Sequence, residues 1–308
     1  MATFVYAHDD CLTHVPPHGH PERVDRLRAV ERGLVGLDVV RASAPLADDA
    51  DVLRCHPARY LARVRAAVPS AGFVQMDGDT YLSPGSLDAA LRAVGGVCAG
   101  VDAVIAGEAR NAFVAARPPG HHAERETAMG FCLFGTVAIA AKRALEVHGL
   151  ARVGIVDFDV HHGNGTQDLL WDEARCLFVS SHQMPLYPGS GATGENGAHG
   201  QIVNIPLMAG SGGAAMRAAY EAVAFPRLVE FAPELVLISA GFDAHERDPL
   251  GGLHWGRDDF AWLTGRICDV AEASAGGRVV STLEGGYDLD ALADCVSAHV
   301  GVLAERGR

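Results

Sequence analysis

The chain has 308 residues, of which 49% are hydrophobic and 20% charged, and its formal net charge at pH 7 is −13. This length and composition favour a globular protein with a sizeable core, and the negative charge argues against nucleic acid as a partner, because phosphates attract Lys and Arg. The acidity mildly favours a cationic substrate or partner. The seven cysteines are an odd number without a Cys-x-x-Cys pair, which is typical of reduced thiols in a core.

The amino-terminal segment lacks the basic region and apolar run of a signal peptide, and no apolar run is expected to be long enough to span a membrane. We therefore expect a cytoplasmic protein with no membrane partner. Whether it forms a homo-oligomer stays open at this point.

Strands and helices alternate along the chain. Apolar segments predict strands over residues 3–7, 111–116, 153–156, 176–180, 201–205, 235–240 and 278–283. Helices are predicted over 22–33, 50–54, 58–68, 87–107, 132–148, from about 167, and over 213–231, 257–275 and 289–304. Because the central strands are apolar throughout, we predict an α/β fold: a parallel sheet covered by helices on both faces, in a single domain over residues 1–308.

Three details of this assignment are expectations about single residues or short segments. Ser86 is expected to cap the helix over 87–107, and Pro226 to bend the helix over 213–231. Residues 71–83 are expected to be irregular. No Gly-x-Gly-x-x-Gly turn follows any predicted strand, which removes nucleotide binding from the leading functions.

The strand over 153–156 is followed by acidic and imidazole side chains at alternate positions, Asp157, Asp159 and His161. Because side chains alternate faces in an extended chain, we expect all three to point the same way. Two aspartates that point together repel each other and need a cation or another partner. The alternative is a polar loop in which Asn164 or Thr166 caps the next helix.

Polar, glycine-bearing loops follow four of the predicted strands, and in a parallel sheet such strand ends gather at one edge. Their side chains are His121 and His122, then Asp157, Asp159 and His161, then Asp243, and finally Tyr287. The set Asp159, His161 and Asp243 suits a zinc ion that keeps one position open for water. The histidine pair could supply a general base and acid, and Tyr287 could donate to a developing oxyanion. These groups together indicate metal-assisted amide hydrolysis.

Each of these residues also has a purely structural interpretation. Adjacent histidines in a Pro-Pro-Gly loop can be turn formers, Asp243 can cap a helix, and Tyr287 can be a packing residue. Their joint occurrence at four strand ends favours a functional site. Cys132 lies near the histidine pair, but its place at the start of a predicted apolar helix favours a core thiol over a nucleophile. A further group of histidines is interpreted as surface, loop or structural: His8, His14, His18, His20, His56, His148, His162, His199, His254 and His299.

Four segments, in this order, resemble the motifs of the histone deacetylase superfamily, and most of all those of class II enzymes and bacterial deacetylase-like amidohydrolases. They are Arg117-Pro-Pro-Gly-His-His-Ala-Glu with Met129-Gly-Phe-Cys; Asp157-Phe-Asp-Val-His-His-Gly-Asn-Gly-Thr-Gln; Gly241-Phe-Asp-Ala with Asp248-Pro-Leu; and Glu284-Gly-Gly-Tyr. The resemblance covers nearly the whole chain. It implies the arginase/deacetylase fold, in which an eight-stranded parallel sheet lies between layers of helices.

The resemblance also implies cofactors. One zinc ion per chain would be bound by Asp159, His161 and Asp243. A structural K⁺ or Na⁺ is usual in relatives, at backbone oxygens near Asp157, Asp159 and His161 together with Ser180.

Catalytic roles follow in the same way. His122 would be the principal general base and acid, oriented by Asn164, and His121 would be its electrostatic partner, oriented by Asp157. Tyr287 would stabilise the oxyanion. Many relatives have aspartate where Asn164 stands; asparagine matches the class II pattern and stabilises an imidazolium less.

For the substrate, the resemblance implies that Phe131 and Tyr187 wall a channel for an acyl-lysine side chain, with phenylalanine commoner at the second position. Leu250 would lie at the rim, and Gly130 and Gly286 would complete the substrate-binding residues. The implied substrate is N-acetyl-lysine in a protein or peptide.

Three alternatives stay open. An acetylated polyamine or another small acylated amine is possible chemically, although no long insertion narrows the entrance and Leu250 offers no acidic gate; Asp77 and Asp79 could supply one. A catalytically silent acyl-lysine binder is disfavoured by the complete set of polar groups. A manganese ureohydrolase would need further bridging acids, which the sequence does not offer.

Overall fold

Ten strands and ten α-helices make up the computed structural model, which describes residues 1–308. The strands are β1 (Ala2–Ala7), β2 (Val40–Ser43), β3 (Val74–Gln75), β4 (Tyr81–Leu82), β5 (Ala109–Val114), β6 (Val153–Asp157), β7 (Cys176–Gln183), β8 (Ile202–Leu207), β9 (Leu235–Ala240) and β10 (Val279–Leu283). The helices are α1 (Asp25–Leu34), α2 (Asp49–Val52), α3 (Ala58–Ala67), α4 (Ser86–Ala106), α5 (Thr136–Glu146), α6 (Asn164–Leu169), α7 (Gly213–Ala219), α8 (Phe225–Phe231), α9 (Arg257–Ser274) and α10 (Leu289–Arg306).

The main sheet has eight strands in the order β2-β1-β5-β10-β9-β6-β7-β8, and every pair in it is parallel. Helices cover both faces, as neighbouring residues of β5 show. The side chain of Asn111 donates to the Leu303 carbonyl of α10, whereas Ala112 lies against Gly100 of α4. Successive residues of a strand point to opposite faces, so α10 and α4 lie on opposite sides. The predicted fold class is confirmed, and one continuous apolar core runs through the layers.

Two strand regions were missing from the sequence assignment. The edge strand β2 pairs only with β1, and its residues are largely exposed. It therefore carries no apolar run that would mark it as a strand in the sequence. The segment 71–83, predicted to be irregular, contains the two-stranded antiparallel hairpin β3–β4. This hairpin matters below because its loop lies at the candidate site.

Several predicted helix boundaries are wrong. α5 begins at Thr136 rather than at residue 132, because Cys132 pairs with Met129 in an isolated bridge and so continues the preceding loop. Ser86 is the first residue of α4 and not its cap; its hydroxyl accepts a hydrogen bond from the Ser83 amide at 2.7 Å. The predicted helix over 213–231 is split by a π-helical turn, Tyr220–Ala224, which precedes Pro226.

Helix α4 is long and apolar enough to cross a membrane by length and composition alone, so the expectation that no segment reaches that length is wrong. However, 72% of its apolar window is buried inside the protein. A Cβ placed on Gly100 would lie 3.0 Å from Val280 of the sheet. Its apolar composition is therefore accounted for by close packing on the sheet.

Candidate active site

The loops that carry the predicted site residues leave four strands that are direct neighbours in the sheet, β5, β10, β9 and β6. His121 and His122 follow β5, Tyr287 follows β10, Asp243 follows β9, and the Asp159–His161 segment follows β6. Because all four strands are parallel, these loops share one edge of the sheet. The structure thus brings the predicted residues together.

The loop after β6 reaches the site differently from the expectation. The strand ends at Asp157, so the next residues do not alternate as in an extended chain. Instead, Asp157 Oδ1 accepts from the Asp159 amide at 3.1 Å, and Asp159 Oδ1 accepts from the His161 amide at 2.9 Å. These successive side-chain turns direct Asp159 and His161 to one point while Asp157 lies behind them.

Asp159, His161 and Asp243 form a buried cluster whose candidate ligand atoms all lie within 4.8 Å of one another. The His161 Nδ1 atom is 3.1 Å from Asp159 Oδ1 and 3.2 Å from Asp243 Oδ2. Asp243 Oδ2 is fully buried and accepts no well-aligned hydrogen bond. A buried carboxylate oxygen without a donor is costly, so these residues fit a divalent cation with nitrogen and oxygen ligands.

Glycines allow the backbone to approach this cluster. The Gly285 amide donates to Asp159 Oδ2 at 2.8 Å, and a Cβ on Gly285 would lie 2.0 Å from Asp243 Oδ2. A Cβ on Gly241 would lie 2.1 Å from Asp159 Oδ2. The other oxygen of Asp243, Oδ1, accepts from the Val160 amide at 2.8 Å. The two carboxylates are therefore held by backbone donors in a space that excludes any larger residue.

The pKa shifts in the cluster follow from the close packing of its charges. Burial lowers the pKa of His161, but its close contacts with the Asp159 and Asp243 carboxylates raise it to about 10. Burial and the nearby Asp159 charge raise the pKa of Asp243 to about 7. Protons thus compensate the excess negative charge of the protein alone, and a bound cation would displace them.

The two adjacent histidines have different hydrogen-bond partners. His121 Nδ1 donates to Asp157 Oδ2 at 3.0 Å, and His122 Nδ1 donates to Asn164 Oδ1 at 2.7 Å. The Asn164 amide group in turn donates to Glu124 Oε1 at 2.8 Å, which fixes its orientation. Each Nδ1 is therefore a donor, and Nε2 is the nitrogen left for chemistry.

Only one of the two histidines faces the cavity described next. His122 lines it, whereas His121 lies behind, with its Nε2 3.8 Å from Asp159 Oδ2. Burial lowers the pKa of His121, but the charges of Asp159 and Asp157 raise it well above its usual value. For His122, burial and the neighbouring His121 and His161 lower the pKa. The surroundings thus shift the two pKa values in opposite directions, down for His122 at the cavity and up for His121 behind it.

A cavity of about 270 Å³ leads to the cluster from the surface. Four of the five predicted substrate-binding residues, Gly130, Phe131, Tyr187 and Leu250, line it. The remaining lining residues are Asp79, His122, His161, Leu186 and Tyr287. The Tyr187 ring lies 5.2 Å from the His122 ring, edge to face. Aromatic walls and a polar end suit a narrow, extended side chain with a polar group at its tip.

Gly286 is the predicted substrate-binding residue that the structure places elsewhere. It does not line the cavity; its carbonyl accepts from Arg26 Nε at 2.6 Å on the far side of the turn. Its φ of +119° is a conformation open to glycine, and it lets the chain turn so that Tyr287 reaches the cavity. The Tyr287 amide donates to Asp248 Oδ2 at 2.7 Å, and the Arg26 guanidinium lies 4.9 Å from the tyrosine ring centroid. The role of Gly286 is to shape the turn.

The loop of the β3–β4 hairpin supports the cavity wall, a role that no pattern in the sequence indicates. Gly130 and Phe131 both have left-handed backbone angles, with φ of +55° and +68°, which is strained for phenylalanine. The Gly130 amide donates to Asp79 Oδ1 at 3.1 Å, and the Phe131 amide donates to Thr80 Oγ1 at 3.0 Å. Two successive side chains therefore hold Phe131 in place.

Two further predictions can be located. Cys132 is buried, as expected for a core thiol, and burial raises its pKa well above the usual value. It lies in the loop rather than in a helix, and its sulfur accepts from the His122 amide at 3.4 Å. Ser180, named for a K⁺ or Na⁺ site, pairs with Asp157 across β6 and β7, and its hydroxyl lies 3.0 Å from Nδ1 of His182. That cation site stays a prediction.

Comparisons with known proteins agree with the geometry. A family model described as histone deacetylase domain matches residues 20–303. The chain is 43% identical over 249 residues to a histone deacetylase-like amidohydrolase of Pseudomonas aeruginosa, a match that covers 80% of this chain and 65% of that protein. It is 37% identical to a probable deacetylase of Archaeoglobus fulgidus, over 94% of this chain and 82% of that one.

Among solved structures, the chain is similar to the HDA15 HD domain, with a TM-score of 0.94 and 33% sequence identity, over 99% of this chain and 89% of that one. The resemblance inferred from four motifs is confirmed over nearly the whole length. The chain belongs to the histone deacetylase family.

Proposed function

We propose that this protein is a zinc-dependent deacetylase that hydrolyses the amide of N-acetyl-lysine in a protein or peptide to acetate and a free amine. The observation that carries the proposal is the cavity of about 270 Å³, which ends between His122, Tyr287 and the His161 member of the buried cluster. A substrate amide at that end would contact a base, a hydroxyl donor and a cation site at once. This combination is what amide hydrolysis requires.

Asp159, His161 and Asp243 would hold the zinc ion, one per chain. When bound, zinc would supply Lewis-acid polarisation of the amide carbonyl and a water molecule whose pKa is lowered to about 7. Three protein ligands leave a coordination position for this purpose.

The remaining steps belong to the protein's own side chains. His122, neutral and facing the cavity, would accept the proton of the attacking water at Nε2 and later deliver it to the leaving amine. Asn164 holds its ring through Nδ1. Tyr287 would donate a hydrogen bond to the carbonyl oxygen as negative charge develops there. His121 with Asp157 would supply a fixed charge behind the site.

A second candidate substrate class is supported by one specific observation. Asp79 lines the cavity, and its amide donates to Asp77 Oδ1 at 3.1 Å, so two carboxyl groups lie close together; burial and Asp77 raise the pKa of Asp79. A second ammonium group on the substrate would relieve that repulsion. Acetylated polyamines and other small acylated amines carry such a group.

The deciding experiment is a substrate panel with zinc-loaded protein: acetyl-lysine peptides with neutral flanks, acetylated polyamines and acetyl-lysine itself. We expect the highest kcat/KM for the peptides. A higher value for acetylpolyamines, which falls towards the peptide value in Asp79→Asn, would favour the small-amine function. Binding of acetyl-lysine peptides without turnover of any substrate would indicate a silent binder and would contradict both.

We further propose that the protein works in the cytoplasm on such acetylated substrates and binds neither nucleic acid nor membranes. The support is the net charge of −13, together with an α4 helix whose apolar residues pack inside the fold. Phosphate backbones and anionic lipid surfaces both repel a strongly acidic protein.

A further inference from the structure

We propose that Glu284 is a positioning residue that sets the backbone of the His121–His122 loop from beneath the site. It is not among the side chains that would touch substrate, and the proposal rests on the proposed amide hydrolysis. Its role would be to align the proton-transferring imidazole with Tyr287 and with the cation cluster.

The contacts of the Glu284 side chain are specific. It lies directly after β10 and is completely buried. Its Oε2 atom accepts from the amides of two consecutive loop residues, Gly120 at 2.7 Å and His121 at 3.1 Å. Its Oε1 atom accepts from the Ser239 hydroxyl of β9 at 3.2 Å. Two consecutive amides on one oxygen fix the tilt of the peptide from which both imidazoles project.

Burying the Glu284 carboxylate lowers the stability of the fold unless its contacts compensate for the lost hydration. The three donors to the Glu284 carboxylate are neutral groups, whereas the other buried glutamate nearby, Glu22, forms ion pairs with Arg117 and Arg26. Burial raises the pKa of Glu284 to about 7, although the nearby His121 and the Gly120 amide oppose the rise. An apolar residue at this strand end would avoid burying a carboxylate but would leave the Gly120 and His121 amides without this acceptor, so the two backbone contacts are what the carboxylate contributes.

The backbone next to Glu284 also contacts other parts of the site. Its carbonyl accepts from Arg26, the following Gly285 amide donates to Asp159 Oδ2, and Tyr287 lies three residues on. One short segment therefore connects the histidine loop, a cation ligand and the proposed oxyanion donor. A displacement of about 1 Å in such a site costs on the order of 10²-fold in rate.

The test compares Glu284→Ala, Glu284→Gln and the control Ser239→Ala, each as full-length zinc-loaded protein. We expect Glu284→Ala to lower kcat roughly 10- to 100-fold, with KM and zinc content nearly unchanged, because only the alignment is lost. Glu284→Gln keeps an oxygen acceptor for both amides and should recover most of kcat. Ser239→Ala removes only the contact at the other oxygen and should keep the wild-type kcat.

Hydrogen exchange of the segment 117–123 gives a readout independent of turnover. It should accelerate in Glu284→Ala and not in Ser239→Ala, even if the proposed function fails. Equal losses of kcat in the Ala and Gln variants, or unchanged exchange of that segment in Glu284→Ala, would overturn the positioning role. If Glu284→Ala does not fold, Glu284→Asp takes its place, since its shorter side chain cannot reach both amides; full activity with unchanged exchange would then overturn the proposal.

Discussion

His122 Nδ1 lies 2.7 Å from the side-chain oxygen of Asn164, so the imidazole that faces the cavity is held by a neutral amide. The adjacent histidine has a carboxylate in the same place. An amide orients the ring but stabilises its charged form less than a carboxylate does. Burial and the neighbouring His121 and His161 lower the pKa of His122, and the Asn164 amide opposes this lowering less than a carboxylate would.

The unequal surroundings predict unequal losses when each histidine is removed. His122→Ala should nearly abolish turnover, by more than the ~10²–10⁴-fold typical of general acid–base catalysis, because one group serves two proton transfers. His121→Ala should reduce kcat less, because that ring lies outside the cavity. Steady-state kinetics of both variants with an acetyl-lysine peptide, at confirmed zinc content, provide the check. Equal losses or the reverse order would contradict the assignment.

Tyr287→Phe removes a single hydroxyl at the end of the cavity. Because the proposed hydrogen bond is strongest once the carbonyl oxygen becomes negative, kcat should fall by ~10²–10³ with little change in KM. Zinc content should be unchanged. A trifluoroacetyl-lysine peptide should be affected less, since its carbonyl needs less polarisation. Unchanged hydrolysis of plain acetyl-lysine would show that the tyrosine serves packing alone.

The cation cluster predicts one tightly bound zinc ion per chain and no second transition metal. Asp243→Ala should lose both zinc and activity but keep its circular dichroism spectrum, because the sheet does not depend on that side chain. Elemental analysis of purified protein, before and after dialysis against a chelator, measures the stoichiometry. Two tightly bound manganese ions per chain would exclude the proposed site.

Buried neutral histidines predict a loss of stability in mild acid. Burial lowers the pKa of His299 to about 3, and its two ring nitrogens lie 2.7 Å from the Thr264 hydroxyl and 2.8 Å from that of Ser281. The unfolded chain binds a proton near pH 6.5 while the folded chain does not, so the free energy of unfolding falls as the pH drops below that value. The loss reaches about 2 kcal/mol at pH 5, at 1.36 kcal/mol per pH unit.

Urea denaturation at pH 7 and pH 5 measures this effect, and His299→Gln is the matched variant. The variant should be less stable at pH 7 because its packing is poorer, but it should lose less of its remaining stability between the two pH values. An identical pH dependence in both proteins would show that His299 does not contribute to the acid sensitivity.

The local parts of this site follow from the sequence, because each depends on a short segment. An apolar strand, a polar residue at its end and a glycine turn are visible together, as in Ala240-Gly-Phe-Asp243 and Glu284-Gly-Gly-Tyr287. Parallel strands then require that such ends share one edge of the sheet. For this reason the sequence predicts the candidate cation ligands, the histidine pair and the tyrosine at one edge of the sheet, whereas the exposed edge strand β2 carries no apolar signal.

Contacts between distant segments were decided only by the tertiary structure. Asp79 reaches Gly130 across 51 positions, and Glu284 reaches His121 across 163. In both cases a side-chain oxygen accepts from a backbone amide. Every residue except proline has such an amide, so no sequence pattern reveals which one is the donor. The sequence by itself therefore determined which groups can do the chemistry. The order of the strands and these backbone contacts, which exist only in the packed fold, decided where each group is held.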